Sequence, residues 1–262
     1  MDSLETPRLE VDGEPPAPEL VAALAYDGYG HFTAMQVRNH AVRGLGLHLA
    51  RLDAGNRETF GEALAGERVR DLVRHALGPG TPDASVRVHV QRPDPARSPT
   101  VTVIVRPPGG MPDGPWRLLP VPYLRAVPRV KHIGDFGQSY YRAAAERAGY
   151  SEALLTGEGG LIAEGAITNV GFFDGESVVW PDAPVLDGTT MLMLRRRLPA
   201  LGVASRDALV RLADLGAYRA AFVANSRGIA PVSGIGDHAF GIDGELMKTL
   251  AAAREAEPWE PL

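Results

Sequence analysis

Hydrophobic positions along the chain fall into short periodic blocks separated by glycine and proline. Leu20 to Tyr26 reads as a strand, and Phe32 to Val37 as a second one after Gly28-Tyr29-Gly30. From Leu45 to Phe60, the residues Leu45, Leu49, Leu52 and Phe60 recur at helical spacing and predict a helix. Glu67 to Leu77 predicts another, stopped by Gly78-Pro79-Gly80. Two alternating strands follow. Val86, Val88 and Val90 share one face of the first, and Arg87, His89 and Gln91 the other. Val101, Val103 and Val105 alternate with Thr102, Ile104 and Arg106 in the second. Further on, Ser139 to Ala148 predicts a helix, Glu152 to Thr156 a strand, and Gly157-Glu158-Gly159-Gly160 a tight turn. Thr168 to Phe173 and Ser177 to Trp180 flank Asp174-Gly175 as a hairpin. Thr189 to Leu198 predicts a helix, Ala220 to Ala224 a buried strand, and Glu245 to Arg254 a last helix.

Strands and helices are mixed without a regular βα alternation, which predicts an α+β fold rather than a doubly wound sheet. Pro15, Pro16 and Pro18 mark residues 1–19 as a flexible leader. The run Pro107 to Pro115 interrupts any regular structure. The expected organisation is a leader over 1–19, a small α+β domain over 20–120, a linker over 121–128 and a large domain over 129–262. Tyr26 is expected in the core.

The composition narrows the chemistry. With 262 residues, 45% hydrophobic and 23% charged, the chain is of ordinary globular make-up. It has no cysteine, which excludes disulfides, thiolate nucleophiles and Cys-ligated metals. Seven histidines are scattered without the spacing of a zinc hydrolase, so no metal site is expected. A net charge of −5 speaks against a general nucleic-acid binder. Apolar runs are too short for a bilayer, and no basic-then-apolar leader is visible. The expectation is a cytoplasmic protein with neither nucleic-acid nor membrane partners. Gly44-Leu45-Gly46 lacks the rest of a dinucleotide loop, and no phosphate loop or nucleophile elbow is present.

Of the 27 basic residues, only Lys131 and Lys248 are lysines. Chemistry that needs an amine therefore has two candidates. Lys248 sits on the exposed end of the last predicted helix. Lys131 precedes the segment Ala163-Glu164-Gly165-Ala166-Ile167-Thr168-Asn169-Val170-Gly171-Phe172. Gly188-Thr189-Thr190 and Asn225-Ser226 follow, and His48-Leu49-Ala50-Arg51-Leu52 lies upstream. Taken singly, each has an ordinary reading as a solvated side chain or a turn. Thr189-Thr190 at the start of a helix suits a phosphate on its own account.

Together and in this order, these segments resemble the class IV aminotransferase family, the fold-type IV pyridoxal-phosphate enzymes. That family includes branched-chain and D-amino-acid aminotransferases and aminodeoxychorismate lyase. The resemblance spans about Tyr26 to Asp237 and is strongest from Lys131 to Phe173. It implies the D-amino-acid-aminotransferase-like fold of two α+β domains with pyridoxal 5'-phosphate between them, the domain over 129–262 binding the cofactor, and a homodimer. Lys131 would be the catalytic amine that meets the cofactor aldehyde, and desolvation would lower its pKa. Glu164 would face the pyridine nitrogen and keep it protonated. Arg51, Gly188, Thr189, Thr190, Asn225 and Ser226 would receive the phosphate. Asn169 would brace the Glu164 turn. Arg92, Arg87 and Phe32 are the candidates for the small-molecule amino or oxo acid, Arg92 near the family's carboxylate-binding arginine.

Two features depart from the pattern. Phe136 stands where branched-chain enzymes place a tyrosine, and Tyr140 and Tyr141 are the nearby substitutes. Thr33 stands where a glutamate is usual, which with Asn225-Ser226 leans toward the lyase branch. A transaminase, a lyase releasing pyruvate and a cofactor-free scaffold all remain open. The intact set of Lys131, Glu164 and Arg51 speaks against the scaffold. The lack of an evident second cation for a dicarboxylate speaks for the transaminase.

Overall fold

Valine alternating with polar residues builds the first of two sheets in a computed structural model that describes residues 7–262. Its strands are β1 (Arg8–Val11), β2 (Gly30–Arg38), β3 (Ala41–Arg43), β4 (Ala84–Gln91), β5 (Thr100–Arg106) and, from the far end of the chain, β15 (Trp259–Pro261). They lie in the order β1-β5-β4-β2-β3-β15, and all neighbours are antiparallel. Helices α2 (Leu45–Phe60) and α3 (Gly66–Leu77) supply Leu45, Leu52, Val69 and Val73 to one core with Val86, Val88, Val90, Val101, Val103 and Val105. Burying these side chains fully is worth roughly 1.5–3 kcal/mol each, which is why the alternation is so regular. Arg87, on the opposite face of β4, stays exposed.

The second sheet has nine strands: β6 (Trp116–Pro122), β7 (Glu152–Thr156), β8 (Ile162–Gly165), β9 (Asn169–Phe173), β10 (Ser177–Pro181), β11 (Ala204–Ala208), β12 (Ala220–Asn225), β13 (Gly228–Ile235) and β14 (His238–Ala239). The order is β11-β10-β9-β12-β13-β6-β7-β8, with β14 paired to β13. The β6 pairings with β7 and β13 and the β10–β11 pairing are parallel. Strand β12 is buried on both faces: Ala221 and Val223 join one core, and Ala220, Phe222 and Ala224 another. Helix α4 (Phe136–Arg147) packs on β7, and α5 (Thr189–Arg197) packs on α6 (Gly244–Glu255). Asp243 caps α6 by accepting the Leu246 N–H at 3.0 Å. The protein is thus α+β, with separate helices and mixed or antiparallel sheets.

Several expectations need correction. Residues 18–26 form helix α1 (Pro18–Tyr26), not a strand. Proline fits the first helical position, Glu19 suits the first turn, and the alanines favour a helix. Tyr26 is 93% exposed rather than in the core. Of the leader over 1–19, residues 1–6 lie outside the described part, but Arg8–Val11 pairs along β5, with Val11 buried. The boundary near 120 also moves. One compact unit holds the described residues up to Gly109 with Val130–Gly134 and Pro258–Leu262; the other holds Gly110–Arg129 and Asp135–Glu257. Of the linker expected over 121–128, residues 121–122 are the end of β6, paired with Leu155 and Thr156 of β7, and residues 116–120 pair with β7 and β13 in the second unit rather than in the small domain. Among the described residues, no helix is long and apolar enough to cross a membrane, and no cluster of His, Asp and Glu is placed to hold a metal ion.

The first unit carries an acid-sensitive group. Gly55 of α2 leaves its space to His31 of β2: a Cβ there would lie 2.7 Å from Nδ1 of the imidazole. His31 is buried, with Nε2 3.4 Å from Oδ1 of Asn56. Burial lowers its pKa from 6.5 to about 4, with Asn56 opposing. Because the folded pKa is depressed, the unfolded chain binds the proton first, and stability is lost as pH falls from about 6.5 to 4. The loss from this residue is about 3 kcal/mol. Urea unfolding of wild type and His31→Gln across that range should show a steeper acid limb for wild type. Parallel limbs would mean that His31 takes up its proton without cost to the fold.

Candidate active site

The segment around Lys131 is fixed by backbone pairing to β2. Phe32 N–H donates to the Lys131 carbonyl at 2.8 Å, and Ile133 N–H donates to the Gly30 carbonyl at 2.9 Å. Lys131 thereby belongs to the first unit, not to the large domain in which the sequence reading placed it. Its Nζ lies 4.9 Å from the centroid of the Phe32 ring. The Arg87 guanidinium lies 5.6 Å from the same ring, and the His89 ring 5.2 Å away. Three nitrogenous side chains thus surround the Phe32 ring, whose π-faces favour cations electrostatically.

Thr33, His48 and Arg51 form a polar group in the same unit. His48 and Arg51 are one turn apart on α2, so both reach toward β2. Arg51 Nη2 donates to Oγ1 of Thr33, and Thr33 Oγ1 is 2.8 Å from Nδ1 of His48. His48 is buried, and its pKa is held well below 6.5 by burial first, then by the charges of Arg51 and Lys131. A neutral imidazole can accept at Nδ1, so the assigned direction is Arg51 to Thr33 to His48. Two cations close enough to act on one imidazole make this an anion-favouring region.

Arg92 is engaged differently. It forms an ion pair with Glu62 and lies over the Phe60 ring, 5.0 Å from its centroid. Of the three substrate candidates, Arg87 and Phe32 therefore accompany Lys131, whereas Arg92 has Glu62 as its carboxylate partner.

In the second unit, Glu164 of β8 is buried beside Arg125, Oε1 to Nη1 3.9 Å, with both side chains only 5% exposed. Arg125 is held below its ordinary pKa chiefly by burial, with the Glu164 charge opposing. Sequence reasoning missed Arg125: it stands in a Pro-rich irregular stretch with no period and no motif. Oε2 of Glu164 accepts the Leu186 N–H at 3.3 Å, and Asn169 Nδ2 donates to the Leu186 carbonyl at 2.8 Å. Both polar groups of Leu186 are thus held from the two ends of the β8–β9 turn.

That grip positions the next turn. Gly188 sits against Asn169 so closely that a Cβ would lie 1.9 Å from Oδ1, which leaves room for glycine alone. Gly188 opens α5 without a side-chain cap. Thr189 and Thr190 follow, both buried, and Thr190 Oγ1 donates to the Asn225 carbonyl at 2.7 Å. The first N–H groups of a helix have no partner within it, and they attract anions. Asn225 and Ser226 lie at the turn between β12 and β13. Asn225 Oδ1 accepts the Arg227 N–H at 2.8 Å, which shapes that turn.

Phe136, at the start of α4, is 80% exposed and stacks on Tyr140. Tyr141 packs against both Tyr140 and Tyr123. Lys248, the other lysine, pairs at 2.8 Å with Glu245 on the exposed side of α6.

Each unit by itself holds groups of the kind pyridoxal phosphate needs: the first an amine and an arginine that act on one imidazole, the second a buried carboxylate and an uncapped helix start. Comparison with known proteins agrees. Residues 30–235 match the model of amino-transferase class IV. The chain is similar in structure to a hypothetical aminotransferase from Mycobacterium tuberculosis in a PLP-bound form (19% identity, 96% of this chain and 98% of that one, TM-score 0.83). It is also similar to 4-amino-4-deoxychorismate lyase from Pseudomonas aeruginosa (26%, 94% and 98%, TM-score 0.80). A third similar structure is the T.th. branched-chain amino acid aminotransferase with pyridoxamine 5'-phosphate (18%, 95% and 93%, TM-score 0.81). No curated protein matches the chain significantly.

Proposed function

The chain belongs to the class IV aminotransferase family, and from that premise we propose that it is a pyridoxal-phosphate-dependent transaminase. It moves an amino group between an amino acid or amine and a 2-oxo acid. When bound, the cofactor supplies an aldehyde for amines and a protonated pyridine ring that accepts electrons from the substrate carbon. Lys131 is the amine for that aldehyde and afterwards the base that takes the substrate's Cα proton and returns it. Glu164 holds the proton on the pyridine nitrogen, and Asn169 braces it through Leu186. Arg51 and the N-terminal N–H groups of α5 at Gly188, Thr189 and Thr190, with Asn225 and Ser226, receive the phosphate. Phe32 forms the apolar wall beside Lys131, and Arg87 is the cation offered to a substrate carboxylate. The reading takes the protein as a cytoplasmic homodimer.

The observation that carries the transaminase over the lyase is the ion pair of Arg92 with Glu62. A substrate with more than one carboxylate needs a second cation, since a buried charge without a partner costs several kcal/mol. Arg92 already has its carboxylate in Glu62, which makes it a poor receptor for the second carboxylate of such a substrate. The lyase reading is favoured by Thr33 and by the 26% identity to the Pseudomonas aeruginosa enzyme. Single amino donors added without acceptor distinguish the two. A transaminase converts bound cofactor stoichiometrically to its amine form and then stops. Pyruvate released over many turnovers from aminodeoxychorismate, with no acceptor present, would replace the transaminase by the lyase.

A further inference from the structure

Glu152 has no place in the function above, yet it is a fully buried acid next to the turn that carries Glu164. It lies on β7, and α4 packs on that strand. One carboxylate oxygen accepts the Ile167 N–H, and the other accepts the Thr168 hydroxyl at 2.7 Å. Both donors belong to the turn between β8 and β9. The same turn is closed by Gly165 N–H to the Thr168 carbonyl at 2.8 Å, and is tied to β7 by Ala166 N–H to the Ala153 carbonyl at 3.0 Å. Gly165 has no room for a side chain: a Cβ would lie 2.3 Å from Thr168 Oγ1 and 2.8 Å from Oε2 of Glu152. The turn is therefore built around the carboxylate. Its two ends are Glu164 and Asn169, the residues that grip Leu186.

We propose that Glu152 is a positioning residue for the reaction: by accepting the Ile167 N–H and Thr168 O–H, its carboxylate sets where Glu164 and Asn169 stand. This rests on the assignment of Glu164 to the cofactor's pyridine nitrogen. A hydrophobic side chain would fill the space but would leave the Ile167 and Thr168 donors unsatisfied. The choice of a carboxylate has a second consequence. Burial pushes the Glu152 carboxyl from 4.5 up to about 7, while Thr168, Ile167 and the Arg142 charge lower it and Glu146 raises it. Arg142 and Glu146 are the charged groups of α4 that act on it, and they pair with each other at 2.9 Å. The two hydrogen bonds at the turn are strongest with the anion, so the turn tightens as pH rises through neutrality.

The test compares Glu152→Gln, Thr168→Val, Thr168→Ser and Glu164→Gln by circular dichroism, by PLP affinity from spectral titration, and by the pH profile of the bound cofactor's absorbance. Glutamine keeps the size of Glu152 but puts a donor where an acceptor is needed. Glu152→Gln and Thr168→Val should each weaken PLP binding about 10-fold and displace the pH midpoint, whereas Thr168→Ser stays near wild type. A folded Glu152→Gln with wild-type affinity and pH profile, beside a Glu164→Gln that alters both, would overturn the positioning role alone. A Glu164→Gln that alters neither would overturn the Glu164 assignment and this inference with it. Should Glu152→Gln fail to fold, Thr168→Val decides in the same terms, because it removes one of the two bonds and keeps the acid.

Discussion

Lys131→Ala is expected to lower turnover by at least about 10³-fold, because one side chain serves as both nucleophile and proton carrier. Lys248 cannot take over. Its side chain is 77% exposed and paired with Glu245 on α6. Borohydride treatment of the PLP-loaded protein, followed by peptide mapping, should find the pyridoxyl label on Lys131. A label on Lys248, or none, would overturn the assignment. The variant should still bind PLP measurably. Arg51 is held by Thr33 and the α5 N-terminus by its own backbone, and neither depends on the lysine side chain.

Glu164→Gln is expected to slow the first half-reaction by on the order of 10²-fold, the scale for losing one preorganised electrostatic partner. A neutral amide does not keep the pyridine nitrogen protonated, so the ring no longer takes up charge from the substrate carbon. The same change leaves the buried Arg125 facing an amide instead of a carboxylate, which is expected to lower stability. A thermal melt and a single-turnover measurement separate the two effects. A lowered melting temperature with wild-type rates would reduce Glu164 to a partner of Arg125. The reverse, a slow half-reaction in a fold of unchanged stability, would show that the 3.9 Å pair with Arg125 contributes little.

Where a segment has one buried face of its own, the sequence is enough to read it. Helix α2, strands β4 and β5 and helix α6 lie where periodicity puts them, because a helix or strand that buries one face repeats at its own period, and the β9–β10 hairpin, buried on both faces, is read from its Asp174-Gly175 turn. The amine, the acid and the anion-binding threonines were legible as residue types in a telling order, since each chemical step restricts which side chains can serve. Leu20 to Tyr26 was not legible: a short apolar run has no period to choose between strand and helix, and Pro18 with Glu19 decides it. Nor was β6, whose prolines look like linker until β7 and β13 pair with it from distant parts of the chain. The same non-locality governs the site. Lys131 joins the first unit through hydrogen bonds to β2, Arg92 meets Glu62, Arg125 meets Glu164, and Glu152 fills the turn between β8 and β9. The sequence by itself determined the local elements and the kinds of chemistry available. Only the tertiary structure decided which groups stand together, because such pairings depend on where the backbone brings distant segments, and no local pattern carries that information.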